Sequence, residues 1–598
     1  MTPGGDETDS QYGPWNPGIV SQIPGDLRPL ATIFRPENVF TSVDRAEEMR
    51  DLTGLEIGTL VAFRPQRLAL HELLVRVTAD ISVPDGSRIE DLGINFRRIT
   101  GIILARYVEP RSGVISETYN ALRRQLSALI EAELAPLFPA PMASGTPRPQ
   151  RPSAGLFGLF TRRRAAHPSA DAGTNGERRL IAEWEGKARS TEDEIPRAAY
   201  RALARVVSAL LVRHGRVWGS RELVASIATD LACNRVGSEA IGRLLEPWVA
   251  EAVGIEGYPL LPRQERPVVM NTKGASASGK STLRPLQKTL AGEIGVDWSE
   301  FALISPDIWR KQLLDYGTLG AACKYGGAFT GDELQIVDEK LDRYMARKAE
   351  RGNMTHLLID RFRFDSFAPD SSEAGSNLLT RFGHTVYLFF MITPPASLVE
   401  RAWKRGLEVG RYKAVDDTLA HSIEAYSGMP DLFFTWVRRA DKRVQFEFLD
   451  NSVEQGDRPR TVAFGTNHTL NVLDVKCMLD VERYRRVNVD ARAPESLFID
   501  RNLLAPEHNT GFLRQCIEKF SEINFADQAT GRIYLHLASG IPDWADAETL
   551  ERAIANPDTR AGLFATAPTV FAGGLPAPDR PRYLSDAPDN QSTRRLGR

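Results

Sequence analysis

The chain has 598 residues, more than one hydrophobic core can organise, so several structural units are expected. Hydrophobic residues at 42% and charged residues at 25% are globular values, and a net charge of −2 excludes a chain-wide electrostatic role on nucleic acid or an anionic membrane surface. The four cysteines, Cys233, Cys323, Cys477 and Cys516, stand far apart with no C-x-x-C pair, which fits a reduced protein without a structural zinc site.

No apolar run reaches bilayer length, and the first residues carry neither a basic start nor an apolar stretch, so a cytoplasmic location without a transmembrane segment is expected. Residues 1–30, rich in Gly, Pro, Asp and Ser, read as a disordered tail. Residues 31–138 read as an α+β domain of unassigned role. Its strongly apolar run from Leu68 to Val83 contains His71, Glu72 and Arg76, a polar group expected inside a core because nothing else converges there.

Residues 139–177 have the composition of a flexible linker. Within it, Leu156–Arg164 (LFGLFTRRR) is either a solvated island or a contact for an anionic membrane or a partner groove. Residues 178–256 read as a helical module. One helix ends at Gly215, and two more begin at the N-cap candidates Ser220 and Ser238. The second of that pair carries little basic charge, which favours packing over DNA reading.

Residues 257–490 alternate strands and helices, with strands expected at Val268–Asn271, Phe301–Ser305, His356–Asp360, Thr385–Met391 and Val444–Leu449. After the first strand stands Gly274-Ala275-Ser276-Ala277-Ser278-Gly279-Lys280-Ser281, followed by Thr282: the G-x-x-x-x-G-K-[ST] phosphate loop. Its glycines let successive N–H groups face a phosphate, Lys280 supplies charge for the outer phosphates, and Ser281 supplies a hydroxyl for Mg²⁺. The fold class expected is therefore α/β: a P-loop nucleoside triphosphate hydrolase/kinase fold with a parallel sheet, preceded by the α+β region and the helical module. ATP or GTP, with Mg²⁺, are the ligands this predicts.

Ligands in such sheets bind beyond the carboxyl ends of the strands, which singles out three further groups. Asp307, just after the second strand, is either a general base for an attacking hydroxyl or an N-cap. Asp360, closing the third strand, is either a partner of the Mg²⁺ site or a turn residue, with Arg361, Arg363 and Asp365 at the same edge. Arg401, Arg405 and Arg411, with Lys404 and Lys413, form either a lid over the transferred phosphoryl group or a solvated basic face. Between the second and third strands, Asp332, Glu333, Asp338, Glu339 and Asp342 share one helix and are expected mainly on its solvated side. Residues 491–571 read as a C-terminal extension packed on this core, with a helix at FLRQCIEKFSEI, a strand at RIYLHLA and a last acidic helix. Residues 572–598 read as a second disordered tail.

The order of these pieces resembles the zeta-toxin family of phosphate-loop kinases and its chloramphenicol-phosphotransferase relatives, over about 200 residues of the chain. The resemblance implies nucleotide and Mg²⁺ roles for Lys280 and Ser281, a catalytic base at Asp307, and lid arginines at Arg401 and Arg411. It also implies an acceptor-binding carboxylate at or near Asp342, and it includes the closing turn Asp450-Asn451-Ser452. Where the family has E-G-T this chain has Asp360-Arg361-Phe362, so the acceptor stays open. The function expected is transfer of a terminal phosphoryl group to a hydroxyl of a small molecule, without a nucleic-acid partner. The alternative is a nucleotide-hydrolysing regulator whose P-loop domain switches the N-terminal modules.

Overall fold

A computed structural model describes residues 12–138, 170–361, 379–454, 456–572, 574–586 and 595–597. The chain divides into two compact units, one of Met1–Thr32, Leu74–Ile103 and Ala252–Arg598, the other of Ile33–Leu73 and Leu104–Glu251. The segment Leu156–Arg164 and the residues Arg363 and Asp365 lie outside the described residues.

The first unit is built on one sheet. Its parallel part comprises Val268–Lys273 (β1), Phe301–Ile304 (β2), His356–Asp360 (β3), Thr385–Ile392 (β4) and Arg443–Asp450 (β5). All five appear where the sequence placed them, with no end shifted by more than two residues. They are near-continuous apolar runs because a parallel sheet is covered on both faces. Their spatial order is β2-β3-β1-β4-β5, so β1 is held on both sides and its loop leaves from the middle of the sheet.

The sheet continues past β5 through Arg460–Thr466 (β6), Thr469–Val472 (β7), Glu522–Ala526 (β8), Ile533–Ala538 (β9) and Ile541–Ala545 (β10), giving ten strands in one array. The C-terminal extension is thus sheet as well as helix. Phe433 joins it to the parallel half: its ring meets those of Phe390, Phe446, Phe448, Phe512 and Phe520 at centroid distances from 4.8 to 6.0 Å.

Residues 74–103 belong to this unit, and buried or half-buried polar contacts tie them to it. Asp80 takes Lys348 Nζ at 2.7 Å and the Tyr344 hydroxyl at 2.5 Å, and Trp309 Nε1 donates to Thr78 Oγ1 at 3.1 Å. The segment expected as an N-terminal tail is also packed from Tyr12 onward. Trp15 packs against the buried cluster that contains Val399, Val415, Leu419 and Leu497, Lys324 sits 4.4 Å from the Tyr12 ring centroid, and Ser21 Oγ donates to Asp416. Composition alone missed this because two aromatic anchors outweigh many Gly and Pro residues. The expected tail after Ala572 is likewise packed where it is described: Tyr583 bridges Arg532 and Leu584 is buried.

The second unit is helical, with Val43–Thr53, Ser112–Leu134, Glu194–His214 and Arg221–Ala232 among its elements. The α+β expectation for 31–138 is corrected: its described residues form helices and isolated bridges, with no strand. The apolar run expected there is the helix Pro65–Asp80, buried on every side, which erases the 3.6-residue signature of a half-exposed helix. His71 and Glu72 are buried within it.

Gly215 caps its helix in the left-handed conformation at φ 68°, and Ser220 Oγ accepts from Leu223 N at 3.2 Å, both as expected. Ser238 does not cap. A π turn at Cys233–Gly237 carries the chain straight into the helix Ser238–Glu256, and Ser238 Oγ instead donates to the Glu72 carboxylate at 2.7 Å. The helix Ala170–Ser190 begins inside the stretch read as linker.

Phe433→Ala should cost about 3–5 kcal/mol, the usual range for a buried Phe truncation. Because the ring touches β4 and β5 on one side and Phe512 and Phe520, at the helix that leads into β8, on the other, denaturant unfolding followed by near-ultraviolet signal and by hydrogen exchange over β5 and over β8 should shift together.

Candidate active site

Thr272 and Lys273 end β1 in register with Asp360 on one side and Phe390 on the other. The chain then turns through a space too small for side chains. A Cβ at Gly274 would stand 2.6 Å from Ser278 Oγ and 2.8 Å from Met391 Cβ. Gly279 takes φ 91°, and a Cβ there would meet Asn451 Nδ2 at 2.4 Å. Ala277 is left-handed too, at φ 64°, a conformation that L-residues hold only where surrounding structure enforces it.

That structure is a ring of hydrogen bonds. Lys280 Nζ donates to the carbonyls of Gly274 and Ala275, each at 3.0 Å, closing the loop on itself. Thr282 Oγ1 donates to Gly279 O at 2.6 Å. From outside, Asn451 Nδ2 at 2.8 Å and Thr393 Oγ1 at 3.3 Å both donate to Ser278 O. Ala275 and Ser278 are buried, while Ser276 and Ala277 form the partly exposed tip. The helix Arg284–Glu293 follows.

Ser281 Oγ donates to Asp360 Oδ2 at 2.9 Å, so the two residues expected to share a cation are adjacent. A hydroxyl beside a carboxylate is a hard-oxygen donor set, and it fits Mg²⁺, which keeps several waters and takes one or two protein oxygens plus phosphate. Among the described residues no group of three or more His, Cys, Asp or Glu forms a protein cage for a metal. A cation here therefore depends on ligand oxygens and water as well.

Asp307 lies beyond β2 in the short turn Pro306–Trp309. It does not cap: its Oδ1 takes Arg310 Nε at 2.9 Å and its Oδ2 takes the Arg411 guanidinium. Burial pushes its carboxyl up, but Arg411 and Arg310 outweigh burial and hold it well below the usual range, so it is ionised. Arg310 Nη1 also donates to Gly327 O and Thr330 Oγ1, which fixes it against the Gly-rich insert.

The arginines divide. Arg405, on the helix Pro395–Val409, and Arg411, just past the left-handed Gly410, face Asp307 and Lys280 electrostatically. Arg405 Nε is buried with no hydrogen-bond partner among the described residues, and burial beside Arg411 pushes its guanidinium down to about 9. Arg401 points elsewhere: its Nη2 donates to Asn451 O and Val453 O at 2.8 and 2.9 Å, steadying the turn that braces the loop.

Three residues not singled out as a group complete the cluster. Lys413 Nζ meets His421 Nδ1 and lies 3.5 Å from Asp417 Oδ2, while His421 Nε2 lies 3.3 Å from Asp417 Oδ1. Burial, reinforced by Arg405 and Arg411 and opposed by Asp417, brings Lys413 down to about 7. The Asp417/His421 spacing of four is the one sequence signal they offered. Asn451 was visible only as part of a turn, because a carbonyl brace has no spacing signature.

The acidic helix Gly331–Glu350 departs from expectation. Glu333, Asp338 and Asp342 are buried rather than solvated. Arg361, itself buried, reaches from the end of β3 to Asp338 at 2.5 Å and Asp342 at 2.6 Å. Burial raises the Asp342 carboxyl while Arg361 opposes it. Asp342 is thus engaged in an internal ion pair. Lys273 Nζ donates to Arg361 O at 3.2 Å and closes the group.

The chain matches no known protein family, no curated protein and no solved structure.

The buried Arg361 and the half-buried Arg405 should respond oppositely to removal. Arg361→Met strands Asp338 and Asp342 and should cost about 3–5 kcal/mol. Arg405→Met removes a desolvated cation with an unsatisfied Nε, so melting in the absence of anions should be unchanged or higher. Differential scanning calorimetry of both variants checks the contrast.

Proposed function

We propose that the first unit is a phosphate-loop kinase, which transfers the terminal phosphoryl group of ATP or GTP to a hydroxyl of a small molecule. The observation that carries this reading is the convergence of Lys280, Arg310, Arg405, Arg411 and Lys413 around Asp307, at the mouth of a glycine loop whose Ser281 touches Asp360. Cations outnumber the carboxylates Asp307, Asp360 and Asp417, and a desolvated Arg405 gains most from an anionic ligand. A triphosphate is such a ligand. The strand order β2-β3-β1-β4-β5, with the loop leaving the central strand, supports a P-loop nucleotide fold.

On this reading the loop N–H groups and Lys280 hold the β- and γ-phosphates, and Asn451 and Thr393 keep the loop from opening. Ser281 and Asp360 would hold Mg²⁺, which when bound neutralises charge on those phosphates. Arg405 and Arg411 contact the equatorial oxygens of the moving group, where charge is spread in a loose transition state. Asp307 accepts the acceptor's proton at a carboxylate oxygen. Its depressed basicity suits a late transfer, because the hydroxyl becomes acidic only as its bond to phosphorus forms. Arg310 and Arg411 fix that carboxylate in place meanwhile. Arg401 positions the brace rather than touching phosphate.

Lys280→Ala should abolish nucleotide binding in calorimetry with little change in melting. Asp307→Asn should keep nucleotide affinity and lose roughly 10²–10⁴ in turnover, the usual worth of a positioned base. Equal loss of affinity and turnover in Asp307→Asn would contradict its role.

Nucleotide affinity should also depend on pH through Lys413. Its ammonium is half-deprotonated near pH 7 in the free protein, and phosphate oxygens favour the charged form. Binding then takes up a proton, so affinity is full below about pH 7 and falls as pH rises above it. Lys413→Arg should flatten the profile; calorimetry across pH 6–9 in buffers of different ionisation enthalpy reads both.

A further inference from the structure

Glu447 lies in the middle of β5 at 1% exposure, between Phe446 and Phe448, with β4 and β6 paired on either side. A carboxylate in such a place is tolerated only if its oxygens are bonded. Three donors reach it. Thr461 Oγ1 donates to Oε1 at 2.5 Å, Leu596 N–H to Oε2 at 2.6 Å, and Gly597 N–H to Oε1 at 2.9 Å. Two of these are consecutive backbone amides from a segment far away in sequence, gripping both oxygens of one side chain.

The rest of that segment is read as closely. Arg458 Nε donates to Leu596 O, and Arg458 Nη2 donates to Arg595 O at 3.4 Å. The Arg595 guanidinium lies 4.7 Å from the Phe464 ring centroid. Leu596 is buried at 2% exposure. A Cβ at Gly597 would stand 2.4 Å from Thr461 N and 2.9 Å from Leu449 Cδ2, so glycine is required there. Cation, buried aliphatic and glycine each have a matching feature, which is how a recess selects a peptide.

The recess opens where β5 and β6 slip register, between Phe448 and Leu449. Such a bulge interrupts the ladder and loosens the strand end. Two residues beyond Leu449 comes Asn451, whose amide holds the Ser278 carbonyl of the glycine loop. Between them, Asp450 is tied to Arg460 at 2.8 Å.

We propose that the recess over the β5–β6 bulge is a docking site for an extended Arg-Leu-Gly peptide, filled by the chain's own Arg595–Gly597, and that its occupancy fixes the Asn451 brace of the phosphate loop. The second half of this statement rests on the kinase reading; the first does not. Docked, the segment supplies the donors that Glu447 needs and stiffens β5 up to Asn451. Released, it leaves a buried carboxylate short of two partners at the bulge, and the brace loosens.

The test uses the full chain and its Gly597→Ala variant, with a synthetic peptide of residues 592–598 as probe. By hydrogen exchange, the Leu596 amide and residues 447–464 should be protected in the wild type and faster in the variant. Added peptide should bind the variant and restore protection over 447–464, and a peptide carrying Gly597→Ala should not. The nucleotide Kd should rise about fivefold or more in the variant, the lower end of ordinary coupling, and recover with the peptide.

Free exchange of the Leu596 amide in the wild type overturns the docking site. So does failure of the wild-type peptide to bind the variant, or equal binding of both peptides. Restored protection with an unchanged nucleotide Kd overturns the coupling alone. A wild-type chain that binds no nucleotide sinks the kinase reading and the coupling with it, while the exchange and peptide measurements still decide the docking site.

Discussion

The position of β1 is the constraint on which the site depends. It is paired with β4 from Val268 to Lys273 and with β3 from Val269 to Thr272, and its register places Thr272 level with Asp360 and Lys273 level with Phe390. Because both neighbours are parallel to it, all three strands end at the same edge, and the segments leaving them meet at one point. The glycine loop leaves β1 there, Asp360 closes β3 there, and Thr393 succeeds β4 there. Moving β1 by one residue would exchange the faces of Thr272 and Lys273 and separate Ser281 from Asp360. Gly274 and Gly279 are needed for the same reason: the loop is pressed against Met391 and Asn451 with no room for a Cβ.

Two groups of charge near that edge are arranged on different principles. Around Arg361 the charges are matched, with Asp338 and Asp342 within 2.6 Å. That group anchors the helix Gly331–Glu350 to the end of β3, and its charges are answered internally. Among the described residues around Asp307 the balance is positive, and Arg405 and Lys413 are both held below their ordinary basicity by burial. Concentrating desolvated cations costs stability, a cost that folds tolerate where an anion is bound. The contrast distinguishes the structural ion-pair network from the proposed binding site without reference to any motif.

Much of this was legible in the sequence, and the rest was hidden for physical reasons. The five parallel strands were read to within two residues, because buried strands are short apolar runs bounded by turns. Gly274–Ser281 carried its own spacing, and Asp307 and Asp360 came from being strand ends. The region 31–138 misled because a helix buried on all sides, Pro65–Asp80, loses its periodicity. Asp338 and Asp342 were read as solvated because their partner, Arg361, comes from another element. Arg401 and Arg405 are one helical turn apart and looked alike. Only three-dimensional contacts send one to the carbonyls of Asn451 and Val453 and leave the other facing Asp307. Composition also misjudged Tyr12–Leu30 and Arg595–Gly597, where a few anchors, Trp15 and Leu596 among them, hold otherwise tail-like segments in place.

The central claim is that the excess of cations around Asp307 serves phosphoryl transfer to a hydroxyl. The most direct measurement incubates the full chain with Mg²⁺ and γ-labelled ATP or GTP, a panel of hydroxyl-bearing metabolites, and water as the control acceptor. The account predicts label in at least one metabolite, lost in Asp307→Asn while nucleotide remains bound. Label appearing solely as inorganic phosphate, at a rate indifferent to every acceptor and to Asp307, would contradict it.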